Sequence, residues 1–315
     1  MTNNTWKGAA LALALLSGAA HAQAWQVTIT ELPLLPGGTY SSAYAISDTG
    51  TIVGVANDAS GALKSVRWTN GEIAVLPELS PSVLGIPSDV NSAGEICGTY
   101  DLGFDSAGIA WDSAGTPAQL PGLPGQVSSC RTSAINAGGL IAGFATSSTP
   151  NPGGHAVLWL GNTLQVDLGF MGGGNYSEAL GLNDLGQVVG LAGLPNGHTH
   201  AFRWQNGVFT DVGAWPGGGA VSKAYAINAS GVMVGLNANV ASIWQNGTIQ
   251  PLPMPPGSPP SRPRSTSTTP GTSSRRARRS IRPRSACCGG TGRRSCSARC
   301  REARSAARDA STLPA

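Results

Sequence analysis

The sequence is poor in charge, poor in aromatic residues and, beyond its first residues, free of long apolar runs. Charged side chains make up 11% of its 315 residues and aromatic ones 6%. No segment after residue 16 is apolar for long enough to cross a bilayer as a helix. Basic residues are scarce over most of the length. Between residues 23 and 255 five Lys and Arg stand against fourteen Asp and Glu, a net charge of −9, although the whole chain carries +4. An acidic body with scattered charges argues against nucleic acid or an anionic membrane as partner. Cysteine is also thin there: of six in the chain, only Cys97 and Cys130 fall in this body. What is plentiful is glycine, 44 residues, which suits tight turns and an extracellular β scaffold.

The N-terminus has the form of a secretory signal. Lys7 supplies the positive start, Ala9 to Leu16 an apolar run too short to span a membrane, and Ala20-His21-Ala22 a small-x-small cleavage site. Residues 1–22 are therefore expected to be removed, with export from a Gram-negative bacterium. Ala24 to Thr30 reads as a lone strand, suited to closing a ring against the last repeat.

The body is a tandem repeat. Its clearest copy runs from Ser177 to Gly213. Ser177 to Asn183 alternates small and apolar residues, as a strand does. Asn183-Asp184-Leu185-Gly186 is a turn. Gln187 to Leu191, His200 to Trp204 and Val208 to Val212 read as three further strands. Gln205-Asn206-Gly207 marks a tight hairpin between the last two, because a type I′ turn needs positive φ at both central residues.

Landmarks recur in register in five copies. The turn glycine is followed four residues later by Gly54, Gly98, Gly143, Gly190 or Gly235, and each copy then carries one tryptophan: Trp68, Trp111, Trp159, Trp204 or Trp244. Leu/Pro/Gly punctuators such as Leu34-Leu35-Pro36-Gly37-Gly38 separate the copies. The fold expected is all-β: a propeller-like tandem array of four-stranded blades of about 45 residues, over residues 24–255. The repeats are 31–75, 76–119, 120–166, 167–210 and 211–255. Five blades are expected to form an incomplete ring, with the tryptophans packed between neighbouring blades.

Ser-x-Ala-x-x-Ile-Asn at 222–228, the Asn-x-x-Gly turn, the Val-Gly pair and His200-Ala201-Phe202 before Trp204 resemble the HAF-repeat family of extracellular bacterial proteins. The resemblance covers about Glu31 to Pro255. It implies secretion and a propeller-like fold, and no particular activity. The second copy departs most: Gly85 and Pro87 replace Ser and Ala, and Ala107-Gly108-Ile109 replaces His-Ala-Phe, so an irregular blade is expected.

Past residue 255 the composition changes abruptly. Residues 256–315 hold fourteen arginines, no lysine, two acids and no aromatic residue. At face value this is a disordered basic tail that could bind a polyanion. The preferred reading is a frameshifted repeat. Read one base earlier with GC-rich codons, Ser265 to Ser274 can give Leu-Asp-Ile-Asn-Asp-Ala-Gly-Asp-Ile-Val. Cys287 to Gly292 can give Val-Leu-Trp-Arg-Asp-Gly. Ser295 to Arg304 can give Val-Val-Leu-Gly-Ala-Leu-Pro-Gly-Gly-Thr. These are the turn, the tryptophan element and the punctuator, in order. Under that reading Cys287, Cys288, Cys296 and Cys300 carry no selected role.

No catalytic, cofactor or metal residue stands out. His155 and His200 share one slot, four residues before the tryptophan, which points to blade packing. His198-x-His200 offers two metal ligands on one strand face without a third. Gly172-Gly173-Gly174 and Gly217-Gly218-Gly219 are inter-blade turns, since no helix follows them. The acids Asp48, Asp89, Asp101, Asp105, Asp112, Asp184 and Asp211 fall mostly in turns and mark no pair. Cys97 and Cys130 are candidates for one disulfide in an exported protein, or for two independent buried residues. The function expected is a secreted, non-enzymatic repeat protein that binds an unknown extracellular protein or glycan, or serves as a surface scaffold. The alternatives are a propeller hydrolase of extracellular glycans and a polyanion binder. An enzyme should gather unlike acids at a central channel; a scaffold should show equivalent residues around it.

Overall fold

The computed structural model describes residues 28–80, 83–101, 106–123, 129–147, 152–214 and 221–253. The chain divides into two units, Met1–Pro263 and Arg264–Ala315, and every described residue lies in the first. The signal segment, the basic tail with its four cysteines and Gly217-Gly218-Gly219 lie outside the described residues.

All described regular structure is β. The first sheet holds β1 (Ser41–Ile46), β2 (Ile52–Asn57), β3 (Leu63–Thr69) and β4 (Glu72–Val75). The second holds β5 (Gly85–Val90), β6 (Ile96–Asp101), β7 (Ser106–Trp111) and β8 (Pro117–Gln119). The third holds β9 (Cys130–Ile135), β10 (Leu140–Ser147), β11 (Gly153–Leu160) and β12 (Thr163–Gly169). The fourth holds β13 (Ser177–Leu182), β14 (Val188–Gly193), β15 (Thr199–Gln205) and β16 (Val208–Gly213). The fifth holds β17 (Ser222–Ile227), β18 (Met233–Asn237), β19 (Val240–Gln245) and β20 (Thr248–Pro251). Each is a four-stranded antiparallel meander in chain order. β12 and β16 run past the repeat ends expected at 166 and 210.

The landmark residues explain the shape of a sheet. Each first turn is closed by the same two bonds, as in Asn183 N–H to Gln187 O and Gly186 N–H to Asn183 O. The turn glycines Gly50, Gly94, Gly139, Gly186 and Gly231 hold φ between +70° and +83°, which a side chain would strain. The second glycine of each copy has another reason. The innermost strand bulges opposite it, as between Ala179 and Gly181 in β13, and swings a carbonyl onto the glycine. A Cβ on Gly54, Gly98, Gly143, Gly190 or Gly235 would strike the backbone carbonyl of Ser42, Ile86, Arg131, Glu178 or Lys223. The expected tight hairpin forms at Asn206-Gly207, and the same turn recurs at Asn70-Gly71 and Asn246-Gly247, each with both φ positive.

The core lies at the boundaries between sheets. Trp111 clusters with Val53 of the preceding sheet and with Leu76, Trp159 with Cys97 and Leu120, Trp204 with Ala142 and Leu158, and Trp244 with Val189 and Ala201. The five tryptophans are between 0% and 9% exposed, and Trp111, Trp159, Trp204 and Trp244 are wedged between neighbouring sheets as expected. Trp68, which has no sheet before it, is covered by Leu32 and Leu35 instead. The indole N–H groups of Trp68, Trp111 and Trp159 donate to the carbonyls of Pro33, Pro77 and Pro121, at 2.9, 2.7 and 2.7 Å. The punctuator thus serves as a lid and as a hydrogen-bond acceptor for its own repeat's tryptophan.

Consecutive sheets pack on one another through four boundaries; no comparable packing joins the fifth to the first, and the ring is not closed. One expectation fails here. Residues 28–30 form no strand, and Ile29 is 83% exposed. The chain that follows them is drawn over Trp68 rather than along the last sheet. Ala24–Val27 lie outside the described residues. The second sheet, expected to be irregular, keeps four strands, with β8 the shortest.

Candidate functional site

The first turns of all five repeats converge on one cavity of about 460 Å³. Its lining takes the same three positions from each repeat: Ile46–Asp48, Val90–Ser92, Ile135–Ala137, Leu182–Asp184 and Ile227–Ala229. The middle residue of each triple is the turn Asn, or Ser47 in the first repeat.

Three of the four turn Asn residues work twice. In each, Oδ1 accepts two turn N–H groups, from Ala93 and Glu95 at Asn91, from Gly138 and Leu140 at Asn136, and from Leu185 and Gln187 at Asn183. Nδ2 reaches the turn carbonyl of the next sheet: Asn91 to Asn136 O at 3.1 Å, Asn136 to Asn183 O at 3.2 Å, and Asn183 to Asn228 O at 2.9 Å. A row of Asn clasps therefore runs along the cavity wall. Asp184 lies here too, and its Oδ1 accepts the Ala137 N–H of the previous sheet.

Grooves also open between sheets. One of about 440 Å³ lies between the fourth and fifth and is lined by Arg203, Gln187, Thr210, Trp244 and Asn246. One of about 390 Å³ lies between the first and second, with Arg67 and Glu72. A third, of about 300 Å³, lies between the second and third beside Trp111. Arg67 and Arg203 each stand one residue before the tryptophan, so these grooves repeat with the blades.

The histidines sit where packing explains them. His155 Nδ1 meets the Asp167 carboxylate at 2.7 and 2.9 Å, and His200 Nδ1 meets Asp211 at 3.0 and 2.9 Å. The same carboxylates accept the N–H of Gly169 and Gly213, fixing a kink at positive φ in the outermost strand. Those glycine carbonyls in turn accept the hydroxyls of Ser177 and Ser222 from the next sheet. Asp167 is absent from the acids singled out in the sequence. The signal was the Asp-x-Gly that follows each His-Ala, twelve residues after His155 and eleven after His200. No group of three or more His, Cys, Asp or Glu forms a metal-binding cluster among the described residues.

Cys97 and Cys130 are free, buried thiols rather than a disulfide. Burial pushes both thiols up from their ordinary pKa, which disfavours the reactive thiolate. Cys130 occupies the slot held by Ser177 and Ser222 and does their work: its Sγ accepts the Gly108 N–H at 3.1 Å, as their Oγ atoms accept Ala156 and Ala201 N–H at 2.8 Å. Asp89 is the one acid that stands apart from the repeat pattern in β5. Burial raises its carboxyl pKa, against the N–H groups of Ile135 and Val90 that bind its two oxygens. It has no second carboxylate on those bonds. No helix of the described residues is long and apolar enough to cross a membrane.

No family model matches the chain, and no curated protein matches it either. Solved structures do resemble its fold. A puromycin-hydrolysing peptidase from Mycobacterium tuberculosis aligns at a TM-score of 0.46 and 16% identity over 72% of this chain, which spans 40% of that one. The SapL1 lectin in complex with α-methyl fucoside aligns at 0.35 and 11%, over 67% of this chain and 81% of the lectin. Virginiamycin B lyase from Staphylococcus aureus aligns at 0.33 and 12%, over 68% and 84%.

Proposed function

We propose that this chain is a secreted, non-enzymatic repeat protein of the HAF-repeat kind, exported by a Gram-negative bacterium. It binds an extracellular protein or glycan, or scaffolds a surface. One observation carries the reading. The central cavity presents equivalent residues from every repeat, and its Asn side chains are spent on turns and clasps. A hydrolytic centre needs unlike groups left free to handle protons. The net charge of −9 over residues 23–255 speaks for a partner that is not nucleic acid. The grooves at Arg67 and Arg203 supply the charged and polar contacts such a scaffold uses.

The test is made on the full chain. Expressed in a Gram-negative host, it should leave the cytoplasm and lose residues 1–22. Screened against extracellular glycans and surface proteins, it should retain a ligand without turnover, and Arg203→Ala should weaken retention. Release of reducing sugar in proportion to time and protein would overturn the non-enzymatic reading.

A further inference from the structure

Equivalent slots are unequally covered at the two ends of the array. Three residues after the turn glycine, Val53, Cys97, Ala142 and Val189 are all 0% exposed, whereas Val234 in the fifth sheet is 37% exposed. Three residues before the tryptophan, Ala156 and Ala201 are fully buried, while Ala241 is only half-buried. The turn amide follows suit. Asn91, Asn136 and Asn183 each give Nδ2 to the next sheet; Asn228 uses Oδ1 on its own turn and has no partner for Nδ2 among the described residues.

These slots belong to one interface. Across the interior boundaries they meet the residue that precedes the next turn: Val53 with Val90, Cys97 with Ile135, Val189 with Ile227. The fifth sheet carries the complete leading half of that interface in Val234, Ala241 and Asn228, with nothing seated on it among the described residues. The first sheet carries the complete trailing half, and there Ile46 is 66% exposed, against 4% for Val90 and 8% for Ile135 and Ile227. Apolar slots filled to pattern and left open are sites for a partner that repeats the pattern.

We infer that the Val234, Ala241 and Asn228 face of the fifth sheet docks a sixth repeat of the same kind, the one that Ser265 to Arg304 spell one base out of frame. Its residue before the turn would cover Val234, its first-strand serine would take the Ala241 N–H, and its turn carbonyl would take Asn228 Nδ2. A second copy of the chain offers the same trailing half on its first sheet, but it fits less well. The turns of the first and fifth sheets already share one cavity, so five more blades continuing that curvature would run into the first sheet. A single repeat would bring the open ring of five to six, within the four to eight blades that propellers use.

The coding DNA is the first test. From codon 265 through codon 292, reading one base earlier must yield Ile-Asn-x-x-Gly and then Trp; any other outcome overturns the inference. Val234→Asp is the second. In the present chain the melting temperature should move by less than about 1 °C, and in the frame-restored chain it should fall by about 5 °C or more, as for a buried apolar site. An unchanged melting temperature in the restored chain overturns the docking. Should the restored chain not fold, alkylation of the present full chain decides, located by peptide mass. Val234→Cys should react quickly and Val189→Cys slowly. Protection of both, or a dimer in sedimentation that protects Val234→Cys, would mean that the face is already covered and would overturn it.

Discussion

The Ser65 hydroxyl donates to the Gly85 backbone carbonyl across the boundary between the first and second sheets. Elsewhere the serine stands on the opposite side. Ser177 and Ser222 lead their sheets, and alanines, Ala156 and Ala201, face them. At the first boundary the pair is inverted: serine takes the alanine slot and glycine the serine slot. At the second it is rescaled, with the bulkier Cys130 facing Gly108. What each boundary keeps is a hydrogen-bonded link between sheets, delivered by Ala/Ser, Gly/Cys or Ser/Gly. The departures that made the second repeat look irregular are matched substitutions.

This pairing predicts a rescue. Ser177→Cys puts a larger atom against the Cβ of Ala156 and should destabilise the fold by about 1–3 kcal/mol, the usual cost of overpacking. Ala156→Gly, which recreates the Gly108–Cys130 arrangement, should recover part of that loss. Cys130→Ser should cost under about 1.5 kcal/mol. Urea unfolding of the two single variants and the double one checks this, and a strictly additive double variant would refute the pairing.

The tryptophans make a second comparison. At Trp111 and Trp159 a phenylalanine keeps much of the burial but strands a proline carbonyl. At Trp244 the indole nitrogen has no partner among the described residues. Trp111→Phe and Trp159→Phe should therefore each cost about 1 kcal/mol more than Trp244→Phe, the worth of one buried hydrogen bond. Equal losses at all three positions in chemical denaturation would show that the proline carbonyls contribute nothing.

Much of this was legible because it is local. Asn-Gly hairpins, the Asn-x-x-Gly turn and the spacing of Trp68 to Trp244 are set within a few residues of chain, and each landed where the pattern put it. Less could be read where the cause lies across a boundary. The second glycine of each copy was visible as a landmark, but its reason is a bulge in a strand some ten residues earlier. Asp167 looked ordinary until β12 brought it to His155. Cys97 and Cys130 left a disulfide and two independent buried residues both open, because sequence reports compartment and count; it does not report that Cys130 points at Gly108 and Leu120. Ala24 to Thr30 read as a lone closing strand, and the need to cover Trp68, which has no sheet before it, was a competing demand that those residues could not reveal.

The double duty of the turn asparagine can be divided by substitution. Asn136→Ala removes both the turn acceptor and the clasp to Asn183 O. Asn228→Ala removes a turn acceptor alone. Asn136→Ala should cost more, by about 0.5–1.5 kcal/mol, the net value of a typical hydrogen bond. Asn136→Asp keeps the turn acceptor and loses the donor, so its cost should fall between that of Asn136→Ala and that of the unaltered chain. Thermal unfolding ranks the three variants, and equal losses for Asn136→Ala and Asn228→Ala would leave the clasp without energetic weight.

Asp89 gives stability a dependence on pH. Burial raises its carboxyl above the ordinary 3.8, so the folded state holds the proton more tightly than the unfolded chain does. The stability this group contributes is therefore complete below the unfolded value and is lost as pH rises through the higher folded one. Alanine fills the same slot in the first, third and fifth sheets, as Ala45, Ala134 and Ala226, so Asp89→Ala is a substitution the fold accommodates. The advantage of the natural chain over Asp89→Ala should be largest near pH 3 and shrink toward pH 7. Urea midpoints measured for both proteins across that range provide the check. An advantage that grows toward neutral pH would mean that the Ile135 and Val90 N–H groups outweigh burial and hold the carboxylate charged in the folded state.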